Sequence, residues 1–132
     1  MFTEIRRKDR ILDNESAVRL LETGEYGFLA MAGANGFGYG IPISYVMDDE
    51  SHIYYHCAPE GYKLECITQN PKVSFCVVGA TRLIPGDFTT AYESAMPLER
   101  SIPICLMKSG CTLCGCWQRN IRRNTRSGVK SI

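Results

Sequence analysis

Residues 37–47 alternate in polarity. Tyr39, Ile41, Ile43, Tyr45 and Met47 fall on one face, while Gly38, Gly40, Pro42 and Ser44 fall on the other. A period of two predicts a half-buried β-strand. Just upstream, residues 26–32 form a short apolar run suited to a buried strand. Asn35-Gly36, between the two, supplies residues that tolerate positive φ and favour a tight hairpin. Asp48-Asp49-Glu50 reads as a turn into a third strand at 52–58, and 73–78 reads as a fourth. Two helices complete the pattern. Residues 13–22 start at a good N-cap, Asp13, carry Leu12 and Ala17 at the staple positions, and exit at Gly24. Residues 60–70 form a second helix, stopped by Pro71. Antiparallel hairpins around one inserted helix predict a mostly β chain with short helices, a small barrel rather than a parallel α/β sheet.

Length and composition narrow the class further. The 132 residues suit one domain, and 45% hydrophobic with 22% charged residues is ordinary for a folded chain. No apolar run approaches the roughly 20 residues of a membrane span. MFTEIRRKDR lacks the apolar core of a secretory signal, so a cytoplasmic location with reduced thiols is expected. Seven cysteines, an odd count, argue against a fully paired disulfide framework.

The net charge of +1 conceals two unlike regions. Residues 1–96 carry eight basic and thirteen acidic residues, a net of −5, whereas 97–132 carry seven basic and one acidic, a net of +6. Three cysteines lie in the first region and four in the second.

Two places could hold chemistry. The Gly38, Gly40, Pro42, Ser44 face has little side-chain bulk, and Pro42 cannot donate to a ladder. A flat aromatic ligand could lie there along open main-chain groups; the alternative is a bulge or barrel corner that binds nothing. The second place is His56-Cys57-Ala58-Pro59-Glu60-Gly61-Tyr62-Lys63, where a strand runs through a glycine turn into a helix N-terminus. Free N–H groups there favour an anion. Lys63 opposes the helix dipole unless a phosphate is bound beside it, and His56 can hydrogen-bond a ligand or move a proton near neutral pH. The alternative is a surface lysine beside a partly buried histidine.

The stretches MFTEIRRKDR, GEYGFLAM, YGIPISYVMDD, HIYYHCAPEGYKLECI, NPKVSFCVVG and FTTAYES together resemble the FMN-binding split-barrel proteins related to pyridoxamine 5′-phosphate oxidase, closest to the 5-nitroimidazole-resistance (Nim-type) branch. The resemblance implies a six-stranded Greek-key barrel that forms a homodimer and holds FMN at the subunit interface. It further implies that Lys63 and the strand end His56, Cys57 and Ala58 serve the phosphate, that Pro42, Ile43 and Ser44 line the flavin ring, and that Ser94 approaches the cofactor. His56 is implied beside the flavin as the catalytic residue. The chemistry implied is reduction of a small oxidised substrate such as a nitroimidazole. Tyr62 departs from the branch, which has histidine at this position. A non-catalytic module keeping flavin or haem on the same barrel is the alternative.

The resemblance stops after Ser94. From 96 to 132 the apolar residues follow no sustained period, and Pro97 and Pro103 interrupt them. Cys105, Cys111, Cys114 and Cys116 suggest zinc, but only Cys111-x-x-Cys114 has chelating spacing, and no metal is expected. The arginines near Trp117 suggest nucleic acid, but a solvated basic tail explains them far better, and neither a nucleic acid nor a membrane partner is expected. The genetic code offers a third explanation. In a shifted frame each codon joins the wobble base of one residue to the first two bases of the next. Met107-Lys108 then forces glutamate, Trp117-Gln118 alanine and Cys116-Trp117 leucine. With the free wobble bases chosen, Met96 onward reads AFGKIHTDLSDEERMHALRLLAEKYSPEH, a strand end followed by an amphipathic helix. The sequence therefore divides into an incomplete split-barrel domain at 1–95 and an irregular Cys/Arg-rich tail at 96–132, frameshifted near Ala95. That tail would leave the C-terminal part of the barrel missing and the dimer doubtful.

Overall fold

The computed structural model describes the backbone of residues 6–49, 52–58, 60–108, 111–117 and 126–130, and side chains within 6–97. Residues 1–5, Glu50 and Pro59 lie outside the described residues, as do the cysteine side chains of the zinc alternative and the Trp117 ring.

The first helix, α1 (Asn14–Thr23), forms where its capping pattern predicts. The Asp13 carboxylate accepts from the Ser16 N–H at 3.0 Å, which with the Ser16 hydroxyl holds it below the usual carboxylate range. Ala17 and Leu21 are buried. Gly24 ends the helix at φ −67, so a left-handed exit is not its purpose. A Cβ there would collide with the Tyr45 hydroxyl and Val77, and Tyr45 Oη donates to the Leu21 carbonyl beside it.

Strands β1 (Tyr26–Ala32) and β2 (Gly38–Met47) pair antiparallel from Tyr26↔Ser44 to Ala32↔Gly38. Their connection is a five-residue loop rather than a two-residue turn. Gly36 alone takes positive φ, at 86, while the Asn35 side chain accepts from the Phe37 N–H at 3.1 Å. The turn after β2 is fixed by Asp48, which accepts from the His52 N–H at 2.7 Å and the Tyr54 hydroxyl at 3.1 Å and sits 2.9 Å from His52 Nδ1. Strand β3 (Ile53–His56) is shorter than predicted, and α2 (Tyr62–Gln69) follows it. Then comes β4 (Lys72–Ile84), which also pairs with β1, giving the spatial order 4-1-2-3 of a Greek key.

β4 runs six residues beyond the predicted 73–78. A register shift between Val78 and Thr81 lets it bend into an exposed hairpin with β5 (Thr89–Met96). Half-exposed, that hairpin lacks the alternation a sequence reading needs.

The tail differs from expectation. Its backbone forms β6 (Leu98–Lys108), β7 (Cys111–Trp117) and β8 (Arg126–Lys130). β6 pairs with β4 and β7, and β7 with β3, so six strands close into a ring in the order β1-β2-β3-β7-β6-β4. β8 lies outside this ring, on β5. Ladders are made by main-chain groups, and the free edges of β3 and β4 can be paired by a segment without side-chain periodicity. Pro103, lacking an N–H, falls in the register shift between Ile102 and Cys105.

The core lies on one side of β1, β2 and β4, under α1 and α2. Leu29, Met31, Ile43, Tyr45, Phe75 and Val77 fill it, and Phe75 meets Tyr45 and Tyr55 edge-on at 4.9 and 5.1 Å. The predicted apolar face of β2 is therefore its core face. Burial pushes the Tyr45 phenol up to about 12.

Candidate functional site

The other face of the same strands is open. Directly opposed residues share a face, so Pro42 stands with Phe28 and Cys76, Ser44 with Tyr26, and Ser94 with Val78. Tyr26 is 66% exposed, Phe28 49% and Val78 52%, so this face presents large apolar side chains to solvent. Burial pushes the Cys76 thiol up, so it is a neutral group on this face.

β2 has two edges. One pairs with β1 along its whole length, whereas the other pairs with β3 only at Tyr45, Val46 and Met47. Among the described pairings, residues 38–44 leave that second edge free. Tyr54 opposes Val46, so His56, two residues on, shares the outer face; it is exposed, as is Ala58. At the other end of the free edge sits α2. The ring of Tyr62, its first residue, meets Tyr39 edge-on at 4.8 Å. The edge between Tyr39 and Tyr45 spans about 20 Å at strand rise.

The N-terminus of α2 is built differently from that of α1. Its N-cap is Gly61 at φ 138, a backbone that strains any side chain, and no side chain caps the helix. The N–H groups of Leu64 and Glu65 bond the Gly61 carbonyl, leaving those of Tyr62 and Lys63 for another acceptor. Lys63 is half-buried and has no ion-pair partner among the described residues. A cation beside uncommitted N–H groups and an open strand edge fits a ligand with a phosphate at one end and a flat polar ring at the other.

The structure thus places Pro42, Ser44, His56 and Ala58 on the outer face along one edge of β2, whereas Lys63 follows Tyr62, whose ring reaches Tyr39 from the core side. Ile43 is 7% exposed and Cys57 9%, with both side chains in the core, so each can offer a ligand only its main chain. Ser94 lies three strands from Ser44 on the outer face, about 14 Å away at ordinary strand spacing. The bare surface is shorter than expected, because the Phe28 ring fills the space in front of Gly40. Sequence reasoning missed Tyr26, Phe28, Cys76 and Val78. β1 is apolar on both faces, which hides its alternation.

Comparison with known proteins agrees with this architecture. The sequence pattern of the family described as pyridoxamine 5′-phosphate oxidase matches residues 13–97. No curated relative matches by sequence. Among solved structures, a Bacteroides thetaiotaomicron protein named as a candidate for 5-nitroimidazole antibiotic resistance superposes with a TM-score of 0.60 at 22% identity, covering 72% of this chain and 58% of that one. An FAD-binding protein from Mesorhizobium loti gives 0.69 at 17% identity, over 93% and 97% of the two chains. The FAD and heme binding protein of Mycobacterium smegmatis gives 0.72 at 14%, over 89% and 71%. The chain spans little more than half the length of the Bacteroides protein. It belongs to the pyridoxamine 5′-phosphate oxidase family, with that family's split-barrel fold.

Proposed function

We propose that this member of the pyridoxamine 5′-phosphate oxidase family is a cytoplasmic, FMN-dependent oxidoreductase that reduces small oxidised substrates such as nitroimidazoles. Two observations carry the proposal: the free edge of β2 beside His56, and the uncapped, lysine-bearing N-terminus of α2, whose Tyr62 meets Tyr39 of β2. Lys63 and the N–H groups of Tyr62 and Lys63 bind the phosphate. The main chain of Pro42, Ile43 and Ser44 holds the ring edge, and Cys57 and Ala58 contribute backbone at the strand end. His56, exposed on the outer face of the strands, orients the bound molecule or passes it a proton. When bound, the flavin supplies the two-electron transfer; the chain supplies placement and water exclusion. In the family's dimer a second copy would cover the open face of Tyr26, Phe28 and Val78 and bring Ser94 toward the cofactor, an association that the altered tail weakens in this chain.

The test is anaerobic turnover. Protein loaded with FMN and chemically reduced is mixed with a nitroimidazole, and loss of the nitro absorbance is followed beside free reduced FMN. Faster reduction by the protein, diminished in His56→Ala, is the expected result. Flavin binding without turnover identifies a non-catalytic flavin or haem module instead.

A further inference from the structure

The surroundings of Tyr62 give it a task of its own. Its ring packs edge-on against Tyr39 of β2 at 4.8 Å, and its hydroxyl oxygen accepts the Asn35 N–H, 27 residues away in sequence, at 3.2 Å. Gly33 leaves room for this approach, since a Cβ there would lie 3.2 Å from the Tyr62 hydroxyl and closer still to the Phe37 carbonyl. Asn35 in turn uses its side-chain oxygen to accept the Phe37 N–H, so one residue couples the loop's geometry to the Tyr62 hydroxyl. The loop between β1 and β2 and the first residue of α2 are thereby clasped together, next to Lys63. Among the described residues, no other hydrogen bond joins this loop to α2.

We infer that Tyr62 is a positioning residue that fixes the α2 N-terminus, and Lys63 with it, against the β1–β2 loop, and so sets the affinity for the phosphate end of the ligand. The inference rests on the phosphate site proposed above. The conformational reason is local. Gly61 at φ 138, followed by a short helix without a side-chain cap, does not hold the helix start by itself. Freeing the clasp lets Lys63 and the two uncommitted N–H groups wander relative to the strand edge. Preorganisation lost in this way lowers affinity without removing any ligand contact. It weakens FMN, which has the phosphate, more than riboflavin, which lacks it.

The experiment titrates FMN and riboflavin against the full chain and its Tyr62→Phe, Tyr62→Ala and Lys63→Ala variants, by quenching of flavin fluorescence. Hydrogen exchange at the Asn35 amide is measured in the same proteins without flavin. Lys63→Ala is expected to weaken FMN by about 10–150-fold, the loss of a charge-assisted contact, and to leave riboflavin nearly unchanged. Tyr62→Ala is expected to reduce the preference for FMN over riboflavin by about fivefold or more. Tyr62→Phe, which keeps the ring and removes only the acceptor, speeds Asn35 exchange and gives a smaller loss of preference. It covers the case in which the alanine variant fails to fold. A normal Lys63→Ala effect with the preference intact in both Tyr62 variants overturns the positioning role and leaves the phosphate site standing. An ineffective Lys63→Ala, or no flavin binding by the unaltered chain, overturns the site and this inference with it. Unchanged Asn35 exchange in Tyr62→Phe overturns the clasp itself.

Discussion

Residues 13–97 and the strands after them use the same secondary structure in two different ways. In the first region, alternation, burial and pairing coincide: Ile43 and Tyr45 face the core, Pro42 and Ser44 face out, and β1 and β4 match them row by row. In the second, β6, β7 and β8 pair by main chain along text that has no period, a surplus of basic residues and a proline at the register shift. Ladder hydrogen bonds are available to almost any extended segment; a one-sided side-chain pattern is not. The family's sequence pattern ends at 97, where that pattern ends. Every proposed cofactor residue lies before it.

Changes in the first region sharpen this contrast. Phe75→Ala, at a fully buried ring that touches two tyrosines, is expected to cost about 3–5 kcal/mol and lower the melting temperature by about 10–20 °C, read by calorimetry. Gly40→Val drives a side chain into the Phe28 ring and is expected to cost about 1–3 kcal/mol. Its effect on urea unfolding exceeds that of the same change at Gly38, where a Cβ meets nothing. Asp13→Ala removes the α1 cap, for about 0.5–2 kcal/mol in the same assay.

The smallest effect concerns pH. Burial alone would raise the Asp48 pKa, but hydrogen bonds from the His52 N–H, the His52 ring and the Tyr54 hydroxyl bring it below the ordinary value. A depressed carboxylate stabilises the fold above its unfolded pKa and loses that contribution as the pH falls through the folded one. Protection of the His52 amide, taken relative to its intrinsic exchange rate at each pH, should therefore fall below about pH 4, and Asp48→Asn should remove the acid step. An acid step that persists in Asp48→Asn assigns it to another carboxylate.

How much was legible in the sequence follows from the same physics. β2 and both helices could be read because alternation, caps and breakers are local signals. The continuation of β4 past Val78 and its hairpin with β5 could not, because both faces there are partly exposed and the register shift breaks the period. In the site, Lys63, His56 and the Pro42–Ser44 segment were marked by glycine, proline and a helix start. The inward turn of Ile43 and Cys57, the Phe28 ring over Gly40 and the Tyr62 clasp depend on partners far along the chain, which a linear pattern does not show. The tail's strands were missed for the converse reason, since their pairing requires no pattern.

The central proposal is that the first region carries a flavin site, and that the tail is the family's own ending read out of frame. It is tested most directly by restoring the frame near the Ala95 codon and comparing the longer chain with this one, each loaded with FMN and passed over a sizing column at the flavin wavelength. The account expects the restored chain to elute as a yellow dimer and the 132-residue chain to retain less flavin and dimerise poorly. Equal colour and equal size in both would show that the tail as written is a working part of the barrel. An absence of flavin in both would remove the site from residues 38–63.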